Sequence, residues 1–208
     1  PGDNPMKMKR PIDLHKGMTA ICVLGLMAYF DNYSIGPWVY LALHGTYGIM
    51  WVLKSFMFPD PSWEVEVPVW KAIGYFLILL LYWVAPFLLI SAGTVPPNWV
   101  ICLAISANAL GTCLHFGSDA QKYFVLKARR GLITDGFFAR TRNPNYLGEI
   151  LIYGSFAALS MHWLPWVICG LFWAFVFLPN MVKKDRSMSR YEEWDAYTQR
   201  SGLLLPRP

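Results

Sequence analysis

Val69-Trp-Lys-Ala-Ile-Gly-Tyr-Phe-Leu-Ile-Leu-Leu-Leu-Tyr-Trp-Val-Ala-Pro-Phe-Leu-Leu-Ile-Ser-Ala92 carries one charge, Lys71, near its start. At ~1.5 Å of rise per helical residue it is long enough to cross a ~30 Å hydrocarbon core. Five further apolar runs flank it, near 17–30, 37–57, 98–116, 147–163 and 164–182. The chain has 208 residues, is 55% hydrophobic with 10 Trp and only 15% charged, and its mean hydropathy is positive. That balance excludes an ordinary soluble domain and predicts an all-α, polytopic membrane helix bundle of about six transmembrane helices. The first, fifth and sixth runs are short, which implies tilt or partial burial. Pro86 predicts a kink in the third run, and Pro96-Pro97 a turn after it.

The charges test this count independently, because Lys and Arg accumulate on the cytoplasmic side of short loops. With six spans, Lys7, Lys9, Arg10 and Lys16, the 54–71 connection, the 118–145 connection and the C-terminal tail share one side. The opposite turns, 31–36, 93–97 and 163–165, hold no Lys or Arg, so all 18 basic residues fall on one face. Both termini are therefore expected on the same side, cytoplasmic or matrix-like. Membrane orientation and anionic headgroups account for the basic excess, which leaves the lipid bilayer as partner and no nucleic acid.

Cys22, Cys102, Cys113 and Cys169 stand singly in apolar runs, as small buried thiols do. His15, His44, His115 and His162 lack metal-ligand spacing, so no metal site is expected. The chain starts at Pro1 and shows no cleavable secretory signal, repeat or soluble second domain; residues 1–208 read as one membrane domain.

The densest polar stretch lies between Gly117 and Glu149. Asn143-Pro144 is a helix-start signal, with Asn able to cap through its side chain and Pro suited to the first position. Free amides at such a start, next to Arg140 and Arg142, attract phosphate or carboxylate. Glu149 is the one carboxylate well inside a predicted span, and it shares a face with Tyr146 and Tyr153. Two readings stay open for it: a headgroup-level carboxylate paired with Arg140 or Arg142, or an acceptor for a cofactor or substrate. Ser118 and Asp119 end the fourth span, and Lys122, Lys127, Arg129 and Arg130 follow on its helical continuation into water.

The run Gly117-Ser-Asp, the basic continuation, Gly136-Phe-Phe, Asn145-Tyr-Leu-Gly-Glu149-Ile and the tail from Tyr191-Glu-Glu-Trp through Leu203-Leu-Leu-Pro206 resemble the C-terminal domain of the steroid 5α-reductase family. Sterol C14 reductases are similar. The resemblance covers about 98–206 and implies a membrane-embedded NADPH site, where hydride passes to an activated carbon–carbon double bond of a lipid-soluble substrate. It implies an integral protein of the endoplasmic reticulum or an organellar inner membrane. Carried over, Ser118, Asp119, Arg129, Asn145, Tyr146 and Glu149 would bind the cofactor; Arg140 and Arg142 join them from the helix-start argument. Tyr191, Tyr197 and Arg200 match weakly, in a tail that closes the family's pocket or lies as an interfacial helix.

The family's proton donor is a Tyr directly after Leu-His, working with an acidic residue of an earlier helix. Here Leu43-His44 is followed by Gly45, and the first span holds no Glu, so His44 or Tyr47 is left as catalytic acid. Arg142-Asn-Pro-Asn-Tyr146 and Glu192-Glu193 are also similar to isoprenylcysteine and phospholipid methyltransferases, which use S-adenosylmethionine. A third reading is a non-catalytic, reductase-like subunit with other membrane protein subunits as partners.

Overall fold

The computed structural model describes residues 5–207. The fold is all-helical: α1 (Lys9–Tyr29), α2 (35–57), α3 (Val69–Ser91), α4 (Asn98–Ala128), α5 (Pro144–Leu159), α6 (Trp163–Met188) and α7 (Trp194–Arg200). Three of these, α3, α4 and α6, are long and apolar enough to cross a membrane. The other three expected spans fall short for visible reasons. α1 contains Lys9, Arg10, Asp13 and Lys16, α2 is diluted by Gly36, His44, Gly45, Gly48 and Lys54, and α5 has 16 residues, ~24 Å of helix. The fifth run, read as 147–163, stops at Leu159 in a turn whose Met161 takes φ 51°.

Proline placement follows its missing amide. Pro86 sits four residues after Tyr82, in a 3₁₀ turn (Leu80–Trp83) that interrupts α3 where the i−4 bond is lost. Gly93, at φ 62°, ends α3 in the left-handed conformation open to glycine.

The chain forms two compact units, one of residues up to Ile105 with Ser155–Ile168, the other of Ser106–Gly154 with the chain from Cys169 onward. In the first, a two-stranded antiparallel ladder pairs β1 (Pro5–Lys7) with β2 (Glu66–Pro68). Lys7 and Lys9 both reach Glu64, and their hydrogen bonds hold its carboxyl below the usual range. At the other end, Asn32 Nδ2 donates to Ile90 O at 2.8 Å, and a Cβ on Gly36 would lie 2.8 Å from Pro96 Cδ. The turns 31–36 and 93–97 thus pack together. α1 and α2 touch backbone to backbone, since a Cβ on Gly48 would stand 2.2 Å from Lys16 O.

In the second unit α4 and α5 cross at Gly111 and Gly148. A Cβ on Gly111 would lie 2.6 Å from Gly148 O, and one on Gly148 2.5 Å from Gly111 O and 2.6 Å from His115 N. Small residues at such crossings permit the close packing on which helix association in lipid depends. α4 then runs on without a break past Asp119 to Ala128, as its basic continuation predicts. Gln121 holds the loop beyond it: its side-chain amide accepts from Phe137 N at 2.9 Å and donates to Asp135 O at 3.0 Å. Phe137 lies over Gly117, where any side chain would meet the ring at 2.4 Å.

The thiols depart from expectation. Cys169 is buried, but Cys102 and Cys113 are exposed on α4. A thiol is apolar enough to face lipid at little cost, so its location inside an apolar run did not require burial.

Replacing Gly148 with Ala drives a methyl into the α4 backbone and is expected to destabilise the protein by about 1–3 kcal/mol. Gly74→Ala, with nothing within 4 Å of the new methyl, is expected to be neutral or mildly stabilising. Unfolding of both variants in mixed micelles checks the contrast.

Candidate functional site

His115, Ser118 and Asp119 recur at i, i+3 and i+4 on α4 and so share a face. All three are buried. Because Gly111 and Gly148 let the two backbones meet, that face comes within reach of α5. His115 Nε2 lies 3.8 Å from Glu149 Oε1 and 4.0 Å from Asp119 Oδ2. Its Nδ1 is 3.3 Å from Asn145 O, and Ser118 Oγ donates to His115 O at 3.2 Å. An imidazole therefore stands between two carboxyl groups. Asn145 adds an acceptor: its Oδ1 is buried and has no hydrogen-bond partner among the described residues.

Four sequence candidates, Ser118, Asp119, Asn145 and Glu149, are thus brought together around His115, which sequence reasoning set aside as a lone histidine. Its signal was the i, i+4 spacing to Asp119. Tyr146 packs on Phe177, with ring centroids 4.9 Å apart.

The start of α5 differs in detail from the reading of Asn143 as a side-chain cap. Asn143 does mark the helix start, since its carbonyl accepts from Leu147 N at 3.1 Å. Its side chain, though, donates to Leu203 O at 2.9 Å, because the tail folds over this point. Thr141 and Gly202 form a parallel bridge, Thr141 Oγ1 donates to Leu204 O at 2.8 Å, and Gly202 N donates to Arg140 O at 3.0 Å. Arg142 completes the clasp: Nε lies 3.0 Å from Asp185 Oδ2, Nη1 donates to Ser201 O, and the guanidinium covers the Trp194 ring at 5.5 Å. Arg142 is therefore committed to Asp185 and the tail, while Glu149 faces His115. Arg140 is exposed, its carbonyl bonded to the tail.

Tyr197 is buried and its hydroxyl donates to Phe138 O at 2.7 Å, so it anchors α7 to the 136–138 turn. Tyr191 packs under Arg190, 5.1 Å from the guanidinium to the ring. Arg129 and Arg200 line an open cleft of about 240 Å³ with Leu132, Thr134, Glu193, Ala196 and Tyr197.

His44 and Tyr47 lie in the first unit, both buried. The π-helical turn of α2 contains His44, whose Nδ1 is 2.9 Å from the Tyr40 hydroxyl and whose ring stacks on Phe156 at 4.0 Å. The Lys16 ammonium stands 4.6 Å from the centre of the Tyr47 ring. Gly45, where the resemblance would place Tyr, backs onto α1: a Cβ there would already stand 3.2 Å from Ala20 Cβ.

Taken together, the apolar helices and the polar cluster between α4 and α5 define an all-helical integral membrane protein. The profile of a family described as a protein of unknown function, DUF1295, matches residues 65–201, and the chain belongs to that family, which includes steroid 5α-reductase-like proteins. The match starts ahead of the 98–206 resemblance and takes in α3. An uncharacterized protein of Schizosaccharomyces pombe is 34% identical over 67 residues, 32% of this chain and 22% of that protein. The matched stretch thus spans about a fifth of that relative's length. No solved structure matches the chain.

Two outcomes test the clasp. Burial pushes the Tyr197 phenol up to about 12, from an ordinary value near ~10. The folded state therefore holds this proton more tightly than the unfolded chain. Its contribution is complete below pH ~10 and is lost as pH rises toward 12. Tail cleavage by an alkali-tolerant protease is expected to accelerate across that window in the parent protein, with a smaller change in Tyr197→Phe. Asp185→Asn leaves Arg142 without its carboxylate and is expected to cost about 1–3 kcal/mol, seen as faster tryptic cleavage after Arg200 at neutral pH.

Proposed function

We propose that the chain is a membrane-embedded, NADPH-dependent reductase of a carbon–carbon double bond in a sterol-like or other lipid substrate. The observation that carries this reading is the convergence of Asp119, Asn145 and Glu149 on His115, because these positions match the cofactor motif of the steroid 5α-reductase resemblance. Bound NADPH supplies a hydride to one carbon of the double bond. Asn145 Oδ1, buried and without a partner among the described residues, suits the amide N–H of a nicotinamide, and Glu149 can accept a second hydrogen bond. The other carbon needs a proton, which the reading assigns to His44 or Tyr47.

Six spans with both termini on the cation-bearing side belong to the same proposal. The pairing of β1 with β2 and of the turn 31–36 with 93–97 supports it for the first three helices. The host membrane would be the endoplasmic reticulum or an organellar inner membrane.

Titration of the detergent-purified chain with NADPH and with S-adenosylmethionine, followed by thermal unfolding, tests the cofactor. A ligand bound only by the folded state raises the transition temperature. NADPH is expected to do so; stabilisation by S-adenosylmethionine alone would replace the reductase by a methyltransferase, and stabilisation by neither would leave a non-catalytic subunit. Glu149→Gln and Asn145→Ala are each expected to weaken NADPH binding by roughly tenfold or more with unfolding unchanged. Full affinity in both variants would remove these residues from the site.

A further inference from the structure

Both oxygens of Asp13, on α1 in the first unit, meet neutral donors from α2. Trp51 Nε1 donates to one at 3.1 Å and Ser55 Oγ to the other at 2.7 Å. The carboxylate is thus fixed in orientation, yet among the described residues no Lys or Arg forms an ion pair with it. A carboxylate has about four acceptor sites, so two donors leave capacity for more. Asp13 lines a half-open cavity of about 20 Å³, room for one water-sized group. The indoles of Trp51 and Trp63 wall this cavity, and Lys54 lines it too. Lys54 is only 5% exposed, its ammonium held 4.7 Å from the centre of the Trp51 ring. Glu64, also on the lining, is taken by Lys7 and Lys9. The place of these residues in the chain puts the cavity at the membrane's edge. Glu64 lies just ahead of β2, which leads directly into α3, long and apolar enough to cross the membrane, and Trp and Lys concentrate at the headgroup level. Beyond Ser55 the chain continues in Phe56 and Met57, exposed at 77% and 66%, large apolar side chains suited to meet acyl chains.

Charge, shape and size together select an occupant. An oriented carboxylate forms its strongest hydrogen bonds with a cationic donor, and an indole face attracts the same cation. The volume admits an ammonium group, which is the size of water, and excludes a trimethylammonium. Lys9 and Lys54 on the same lining oppose a free cation, but they suit one that carries a phosphodiester a few atoms away. A zwitterion therefore fits where neither ion alone does. A serine headgroup fits less well, because it brings a further carboxylate to a lining that already holds Asp13, Asp60 and Glu64. We infer that this cavity binds the headgroup of phosphatidylethanolamine as a resident lipid, with its primary ammonium on Asp13 and its phosphodiester toward Lys9 and Lys54. The site involves neither NADPH nor the cluster around His115, so it stands or falls apart from the reductase reading.

Native mass spectrometry of the full chain, released from nanodiscs of defined composition, tests the site. From equal amounts of phosphatidylethanolamine and phosphatidylcholine with matched acyl chains, the first is expected to be retained over the second by roughly tenfold or more. Monomethyl- and dimethyl-phosphatidylethanolamine should be retained progressively less, and phosphatidylserine less than phosphatidylethanolamine. Asp13→Asn keeps the shape of the side chain and removes its charge; it should erase the preference, a loss of roughly tenfold, while phosphatidylcholine retention stays at the parent level. Trp63→Leu leaves Asp13 and its two donors in place and should lower the preference by roughly threefold. Thermal unfolding in phosphatidylcholine micelles checks that both variants are folded. Equal retention of the two lipids by the parent chain would overturn the site. So would a preference for phosphatidylethanolamine that survives in both folded variants, since the lipid would then lie elsewhere on the protein. Displacement of the lipid by soluble glycerophosphoethanolamine at comparable concentration would keep the ammonium site on Asp13 and overturn its assignment to a bilayer lipid.

Discussion

The second unit depends on the contact between the Gly111 and Gly148 backbones. Helices usually pack with their axes ~8–10 Å apart, separated by side chains. Here each Cα position faces the other helix's carbonyl oxygen at a distance that a methyl group could not share. In lipid, where helices gain little by leaving the solvent, such surface-to-surface fit and weak Cα–H···O contacts carry the association. The functional consequence follows from reach. A histidine side chain is short, and at an ordinary spacing His115 Nε2 would lose its 3.8 Å approach to Glu149. The glycines therefore set the distance at which an imidazole and two carboxyl groups share one space.

Helix positions were legible because apolar runs in a membrane protein have few alternatives: α3, α4 and α6 start within a residue of where hydropathy places them. The single-face charge pattern anticipated the association of the N-terminal segment with the 54–71 connection. The pairing itself, a three-residue ladder, has no periodicity to detect. The site was half legible. Ser118, Asp119, Asn145 and Glu149 could be found through a motif, but His115 acquires its role only when two helices meet. Composition treats it as one more histidine in an apolar run. The same limit applies to Gly148, which a sequence cannot distinguish from Gly74 although one touches a backbone and the other open space.

The tail shows how a weakly patterned segment becomes well determined. Residues 201–207 have little intrinsic preference, yet their backbone is held by Arg140, Thr141, Arg142 and Asn143. A Cβ on Gly202 would strike Leu205 O at 1.9 Å, so the bend itself demands glycine. Arg142, read beforehand as an anion ligand, instead joins the tail to Asp185 of α6. The start of α5 is thereby covered by chain carbonyls. A segment that reads as an interfacial helix is in effect anchored, through Tyr197, to the 136–138 turn.

The two units hold ionisable side chains of different kinds. Asp119 and Glu149 bring two carboxyl groups to His115 in the second unit, whereas the first holds the ammonium of Lys16 against the rings of Tyr47, Trp51 and Tyr82. The steroid 5α-reductase resemblance expects a tyrosine working with a carboxylate in that half. This chain offers a tyrosine under a lysine, and the difference is chemical. A carboxylate can accept a proton and relay it, while an ammonium only donates hydrogen bonds. The electron-rich ring faces favour a cation there. A neutral group that both accepts and donates can still pass a proton on, and the imidazole of His44, held at Nδ1 by the Tyr40 hydroxyl, and the Tyr47 hydroxyl are side chains of this unit with that capacity.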